Sequence, residues 1–136
     1  MLPYLPEAID FTNITGSVDY WLNNRGFAES ARAAQLLAFV FWGGVADISM
    51  SPEDYTPKLR ALIGIARSGN SSLPVRIVEI IETPNRATIR AAQREVANDP
   101  GVELIPTADL PFDEGGHHTA DGYRTVRERI YRSLGR

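Results

Sequence analysis

Apolar residues recur along this chain with two alternating periods. Short runs that are apolar or β-branched at nearly every position alternate with longer stretches in which apolar positions return every three to four residues, the signature of βα units around a mostly parallel sheet. Ile9–Ile14 is the first short run, closed by Gly16. Leu37–Trp42 (LAFVFW) is apolar throughout, as a strand covered by helices on both faces should be, and is predicted at the sheet centre. Val75–Ile81 (VRIVEII) is the third run, with Val75, Ile77 and Ile81 on one face and Val78 and Ile80 shared between faces. Val102–Ile105 (VELI) is the fourth.

The intervening stretches carry helix punctuation. An alanine-rich helix is predicted over Phe27–Gln35. Ser51 as N-cap, Pro52 at the first helical position, Glu53 and Asp54 in the first turn and Gly69 just past the end bracket a helix whose buried stripe is Tyr55, Leu59, Leu62, Ile63 and Ala66. Thr83-Pro84 repeats the cap-and-proline start of a helix running to about Asn98, with Ile89, Ala92 and Val96 inward, and Asp99-Pro100-Gly101 stops it. Pro106–Gly116 reads as an irregular acidic loop. Thr119 then caps a last helix with Tyr123, Val126, Ile130 and Leu134 on one side. The result is a three-layer α/β/α domain with a mostly parallel sheet of about four strands. Ligands of such sheets bind outside the carboxyl ends of the strands, so the loops to inspect are Thr15–Asn24, Gly43–Met50, Ile81–Asn85 and Thr107–His118.

Composition narrows the function classes. At 136 residues one domain over positions 1–136 is expected, large enough to bury a single core. The net charge of −3, with thirteen arginines and one lysine (Lys58) spread along the chain, gives no basic footprint for a phosphate backbone, and nucleic acid is not expected as a partner. There is no cysteine, which excludes disulfides, thiol nucleophiles and cysteine-based zinc sites. The longest apolar stretch, Leu36 to Trp42, is far short of the roughly 20 residues that span a bilayer. MLPYLPEAID has no basic segment followed by an apolar one, so no signal peptide is expected.

The loop before the last helix brings Asp113, Glu114, His117 and His118 together around Gly115-Gly116. A carboxylate three or four residues from a histidine across a tight turn can fix the imidazole tautomer for general-base work. A solvated polar loop with helix-cap chemistry accounts for the same residues. A His-His metal site is disfavoured, because adjacent side chains seldom converge on one ion.

The segment HHTADGYRTVRERIYRSL resembles the last block of the SGNH (GDSL-type) hydrolases, in which an acid, two spacers and the catalytic histidine precede a Gly-Tyr helix start. FVFWGGVADISMSPEDYTPKLRALI resembles the third-block region of the sialate O-acetylesterase-like branch, and FTNITGSVDYW its second block. VRIVEII and IRAAQREVANDPGVELIPTADL are similar to the strand, helix and strand that follow. The resemblance covers about residues 9–134 and rests on the order and spacing of four blocks. It implies a truncated flavodoxin-like SGNH domain with His117 as the base, Glu114 or Asp113 as its acid, the Gly16 N–H directed at an oxyanion, and Gly44 and Asp47 at the pocket.

The departures from that pattern matter as much. The family's Gly-x-Ser nucleophile turn has no counterpart before Gly16, and its Gln-Gly-Glu-Ser-Asp becomes Gly43, Gly44, Val45, Ala46 and Asp47, without the side-chain amide. Loss of a nucleophilic serine costs on the order of 10⁶ in kcat, and loss of an oxyanion donor about 10²–10³. Ser17, which follows a glycine at a strand end, is the candidate replacement. Its alternative role is that of a turn residue. Trp21 and Tyr20 are candidates to stack on a sugar ring, against the plainer role of core aromatics.

The expectation is therefore an esterase-like module, catalytically incomplete, with a structural or glycan-contacting role, for which the family's occurrence on phage particles and in secreted enzymes suggests a virion or surface assembly. The alternative is a carbohydrate O-acetylesterase whose nucleophile is Ser17 or comes from a partner chain. No cofactor or metal is expected. In the family's sheet the missing first strand lies between the counterparts of Ile9–Ile14 and Leu37–Trp42. The free edge of Leu37–Trp42 should therefore be covered, by Ile9–Ile14 or by another chain.

Overall fold

The computed structural model describes residues 17–81, 83–113 and 117–135. Ser17, extended at ψ 164°, accepts from the Tyr20 N–H and starts α1 (Val18–Leu22), and Asn24 accepts from the Phe27 N–H to start α2 (Arg25–Arg32). The sequence predicts a loop up to Asn24 and a later helix over Phe27–Gln35. Two consecutive N-caps shift both boundaries toward the N-terminus. β1 (Phe39–Phe41), α3 (Pro52–Ala66), β2 (Val75–Val78), α4 (Ala87–Val96), β3 (Val102–Ile105) and α5 (Ala120–Ser133) follow. Short 3₁₀ turns over Val45–Asp47 and Pro84–Arg86 lead into α3 and α4.

The strands form a parallel sheet in the order β1-β2-β3, with Phe39 opposite Val75 and Val75 opposite Val102. The pairing of the second and third predicted strands, linked through one helix, is thus as expected, and the α/β architecture has helices on both faces. Three described strands stand where four were predicted. Ile9–Ile14 lies outside the described residues, and among the described strands none pairs with the outer edge of β1. Phe39, Val40 and Phe41 are nevertheless at most 2% exposed.

Register explains the two cores. Phe39, Phe41, Val75, Ile77 and Val102 pack under α1 to α4, whereas Val40, Trp42, Val78 and Ile105 pack under Val126 and Ile130 of α5. Arg76 fastens α5, donating from Nε to Ser133 Oγ and from Nη2 to the Ser133 carbonyl, each at 2.9 Å. That places a cation at the helix C-terminus, where the unpaired carbonyls attract it. Gly69, predicted from sequence as a helix stop, has a second duty. A Cβ there would collide with the Ala31 carbonyl at the end of α2. No helix of the described residues is long and apolar enough to cross a membrane.

The predicted strand Val75–Ile81 leaves the ladder early, at Val78, and its alternation slips: Ile80, not Ile81, continues the face of Val75 and Ile77. A side chain takes over from the ladder there. Gln93 of α4, fully buried, accepts from the Ile80 N–H at 2.9 Å and donates to the Gly43 carbonyl at 3.0 Å, with the Tyr55 hydroxyl 3.3 Å from the same amide nitrogen. The carboxyl ends of β1 and β2 are therefore held apart yet hydrogen-bonded. Gly44 permits this, because its φ of +118° suits glycine and a Cβ would stand 2.9 Å from Gln93 Nε2.

Gln93→Leu should destabilise the protein by about 2–4 kcal/mol, since it leaves a buried N–H and a buried carbonyl without partners. Urea denaturation monitored by circular dichroism measures this. A loss under about 0.5 kcal/mol would show that water reaches both groups.

Candidate functional site

The opening at the carboxyl edge is a cavity of about 140 Å³ lined by Trp42, Gly43, Val45, Glu79, Ile80, Ile81, Arg86, His117, His118 and Tyr123. Its walls come from the ends of β1 and β2, the start of α4 and the loop before α5. Trp42 and Tyr123 supply the aromatic side, with ring centroids 5.5 Å apart. Glu79, 1% exposed, is held by Arg94 Nε at 2.6 Å and Arg90 Nη2 at 3.4 Å, and Arg90 also donates to the Ile80 carbonyl. On the other side of the strand the Glu79 carbonyl accepts from Thr107 Oγ1 at 2.9 Å. A buried carboxylate is tolerated only when compensated in this way.

The described ends of the loop carrying the histidines pair with each other. Phe112 and His118 form an antiparallel bridge, the Asp113 N–H donates to the His117 carbonyl at 2.8 Å, and the His117 N–H donates to Asp113 Oδ1 at 3.0 Å. His117 Nδ1 lies 3.6 Å from that oxygen, beyond hydrogen-bond reach, and the His117 side chain is 61% exposed. The carboxylate thus meets the backbone of His117 directly and its ring only at a distance. Glu114, the other candidate acid, lies outside the described residues.

His118 turns inward. It is 7% exposed, packed against Trp42 and Tyr123 at centroid distances of 6.0 and 5.4 Å, and its buried Nδ1 has no hydrogen-bond partner among the described residues. Burial pushes its pKa below the usual histidine value. Gly122 lets the ring sit there, since a Cβ would meet His118 Cβ at 3.2 Å and the Pro111 carbonyl at 3.3 Å. Sequence spacing singles out His117. Nothing in the residue pattern marks His118, whose neighbours include the sequence-distant Trp42.

The remaining candidates stand elsewhere. Ser17 spends its hydroxyl on the Tyr20 N–H and lines a shallow depression with Asp19, Tyr20, Asn23, Asn24 and Arg25, not the cavity of His117. Gly16 lies outside the described residues. Asp47 is 2% exposed and accepts from the Val18 N–H at 3.1 Å, so it fastens the start of α1. Burial raises its pKa, partly opposed by that hydrogen bond. Gly44 adjoins the cavity through Gly43 and serves the Gln93 contact. Trp21 is 8% exposed within the core, edge-on to Phe27, whereas Tyr20 is half-exposed. Among the described residues no group of three or more His, Asp or Glu side chains converges as metal ligands would.

No protein-family model matches the sequence, and no curated protein is detectably similar to it. Two solved structures share its fold. One is a mutant acetyl esterase with acetate ion (TM-score 0.67, 19% identity), and the other is a carbohydrate esterase family 3 protein from Talaromyces cellulolyticus (TM-score 0.64, 18% identity). Each match covers 86% of this chain, and the chain spans 65% of the length of each structure. At this identity the likeness establishes the fold alone: the chain has the α/β architecture of these two esterase structures.

Two pH-linked outcomes follow. Asp47, with its folded pKa raised, contributes stability that is present at low pH and lost as pH rises through the folded value. Asp47→Asn, which keeps an acceptor for Val18, should therefore equal or exceed the wild type in stability at about pH 7. Asp47→Ala should lose about 1–3 kcal/mol by leaving that N–H unpaired. Thermal denaturation of the three proteins tests the ranking, and Asn falling with Ala would refute it. His118, with its folded pKa lowered, contributes stability that is full above about pH 6.5 and falls as pH drops below it, because only the unfolded chain protonates freely there. In His118→Phe that loss between about pH 6.5 and 5 should flatten, and an unchanged slope in the same denaturation series would assign it to other groups.

Proposed function

We propose that this chain is an esterase-like module that does not itself perform acyl transfer and that acts as a structural or glycan-contacting domain. The observation that carries this reading is the separation of its chemistry. Acyl transfer needs a hydroxyl within hydrogen-bond reach of the imidazole and donors aimed at the oxyanion. Here Ser17 and His117 share no cavity, and the Ser17 hydroxyl is already an acceptor in a helix cap. At the edge of the cavity, Val45 supplies an exposed apolar side chain where the esterase pattern has a polar one. The half-exposed Tyr20 ring, beside the polar side chains of Asp19, Asn23 and Asn24, is the surface suited to a sugar.

A second reading rests on the histidine-bearing loop itself. His117, reachable from solvent and 3.6 Å from Asp113, presents what a serine brought by a partner polypeptide would require of a base and its orienting acid. Catalytic hydrogen bonds are often long before substrate binds.

Purified chain incubated with p-nitrophenyl acetate should show turnover no faster than buffer, unchanged by His117→Ala. Turnover well above buffer that disappears in both His117→Ala and Ser17→Ala would overturn the non-catalytic reading. Turnover appearing only when a second polypeptide is added, and lost with His117→Ala, would establish the second.

A further inference from the structure

The outer edge of β1 is buried without a described partner. The Phe39 N–H donates to the Pro74 carbonyl at 2.9 Å, and Phe39 and Phe41 stand opposite Val75 and Ile77. In a parallel ladder, residues that bond to one neighbour alternate with residues that turn their N–H and carbonyl the other way. The backbone groups of Val40 therefore point away from β2. Val40 is 0% exposed, and on that side it has no hydrogen-bond partner among the described residues. A buried N–H and a buried carbonyl left so would each cost about 1–3 kcal/mol, and an added strand satisfies both at once.

The chain itself leads a segment to this edge. Val18 is fixed at the carboxyl end of the sheet, because its N–H donates to Asp47 in the turn that follows β1. Residues 9–14 (IDFTNI), which lie outside the described residues, end three positions before Ser17. Three positions reach about 10 Å, against about 4.8 Å between neighbouring strands. The segment has neither proline nor glycine, and Ile9, Phe11, Thr12 and Ile14 are residue types that favour strands. The return path is described. α1 and α2 lie over the Phe39 face, with Phe27 5.4 Å from the Phe39 ring, and the end of α2 abuts Gly69 just ahead of β2. A strand before α1 thus runs in the direction of β1. Its crossover has the same hand as those through α3 and α4, which share that face. A tethered segment also competes at an effective concentration on the order of millimolar with any free polypeptide.

We propose that residues 9–14 add to the outer edge of β1 as a fourth, parallel strand that bonds to the N–H and carbonyl of Val40. The edge of β1 is then closed to a strand from any partner polypeptide. A serine brought in trans, as the second reading of function requires, must reach the carboxyl edge by another route.

The test is NMR on the isotope-labelled full chain, with light scattering on the same sample. The chain should be monomeric. The Val40 amide should exchange with solvent deuterium about 100-fold or more slowly than in an unstructured peptide, and its proton should contact residues between 9 and 14 in the parallel pattern. Alternate N–H groups of an edge strand face solvent, where proline is tolerated. Of Thr12→Pro and Asn13→Pro, one should therefore speed Val40 exchange at least about tenfold and the other leave it near wild type. Free exchange at Val40, contacts from any other segment, an antiparallel pattern, or contacts that prove intermolecular in a mixture of labelled and unlabelled chains would each overturn the assignment. So would two prolines of equal effect. Should a proline variant fail to fold, the wild-type contacts of Val40 decide.

Discussion

The carboxamide of Gln93 holds together the functional end of this molecule. β1 and β2 are hydrogen-bonded as neighbours through Phe41 and Ile77, and beyond those residues the backbones diverge. Divergence inside a core would strand an N–H on Ile80 and a carbonyl on Gly43. Gln93 reaches up from α4 and satisfies both at once, with Tyr55 beside it. A glutamine suits this place because it carries an acceptor and a donor on one planar group. The two residues that it joins, Gly43 and Ile80, both line the cavity, and Gly44 is held in its left-handed conformation against the same amide.

Glu79 does for β2 and β3 what Gln93 does for β1 and β2. Its N–H donates to the Ile105 carbonyl, its own carbonyl accepts from Thr107 Oγ1, and its carboxylate draws Arg90 and Arg94 of α4 onto the strand end. Removing one partner of such a buried pair commonly costs about 3–5 kcal/mol, because the other charge is left in the interior. Two polar side chains, one on a strand end and one on α4, thus hold α4 to the sheet at the edge where ligands of this fold class bind.

The same edge carries the histidine-bearing loop on a fold shared with two esterase structures. The loop before α5 carries a histidine and an acid whatever the chemistry elsewhere. Activity depends on what meets that histidine, and fold alone does not settle it. In this chain the Ser17 hydroxyl caps α1, and the Asp47 carboxylate accepts from the Val18 N–H. Both contacts hold the start of α1 in place. Meanwhile the adjacent His118 sits in the core, where Gly122 gives it room.

Much of the architecture is legible from local rules. The Ser51-Pro52 start of α3 and the Thr119 cap of α5 need only short-range hydrogen bonding, and the apolar run through Phe39–Phe41 declares a strand covered on both faces. Local patterning therefore dictates the α/β class, the parallel pairing of β1 with β2 and the loop that carries His117. The start of α1 is not legible in this way, because its second clamp, Asp47, is 29 positions away. The early end of β2 is hidden for the same reason, since Gln93, which replaces the ladder, belongs to the next helix. Ser17 and His117 are each plausible as residues, and packing of distant segments puts them in different cavities. It also buries His118 between Trp42 and Tyr123, since burial and distance arise from contacts between segments that local patterning does not encode.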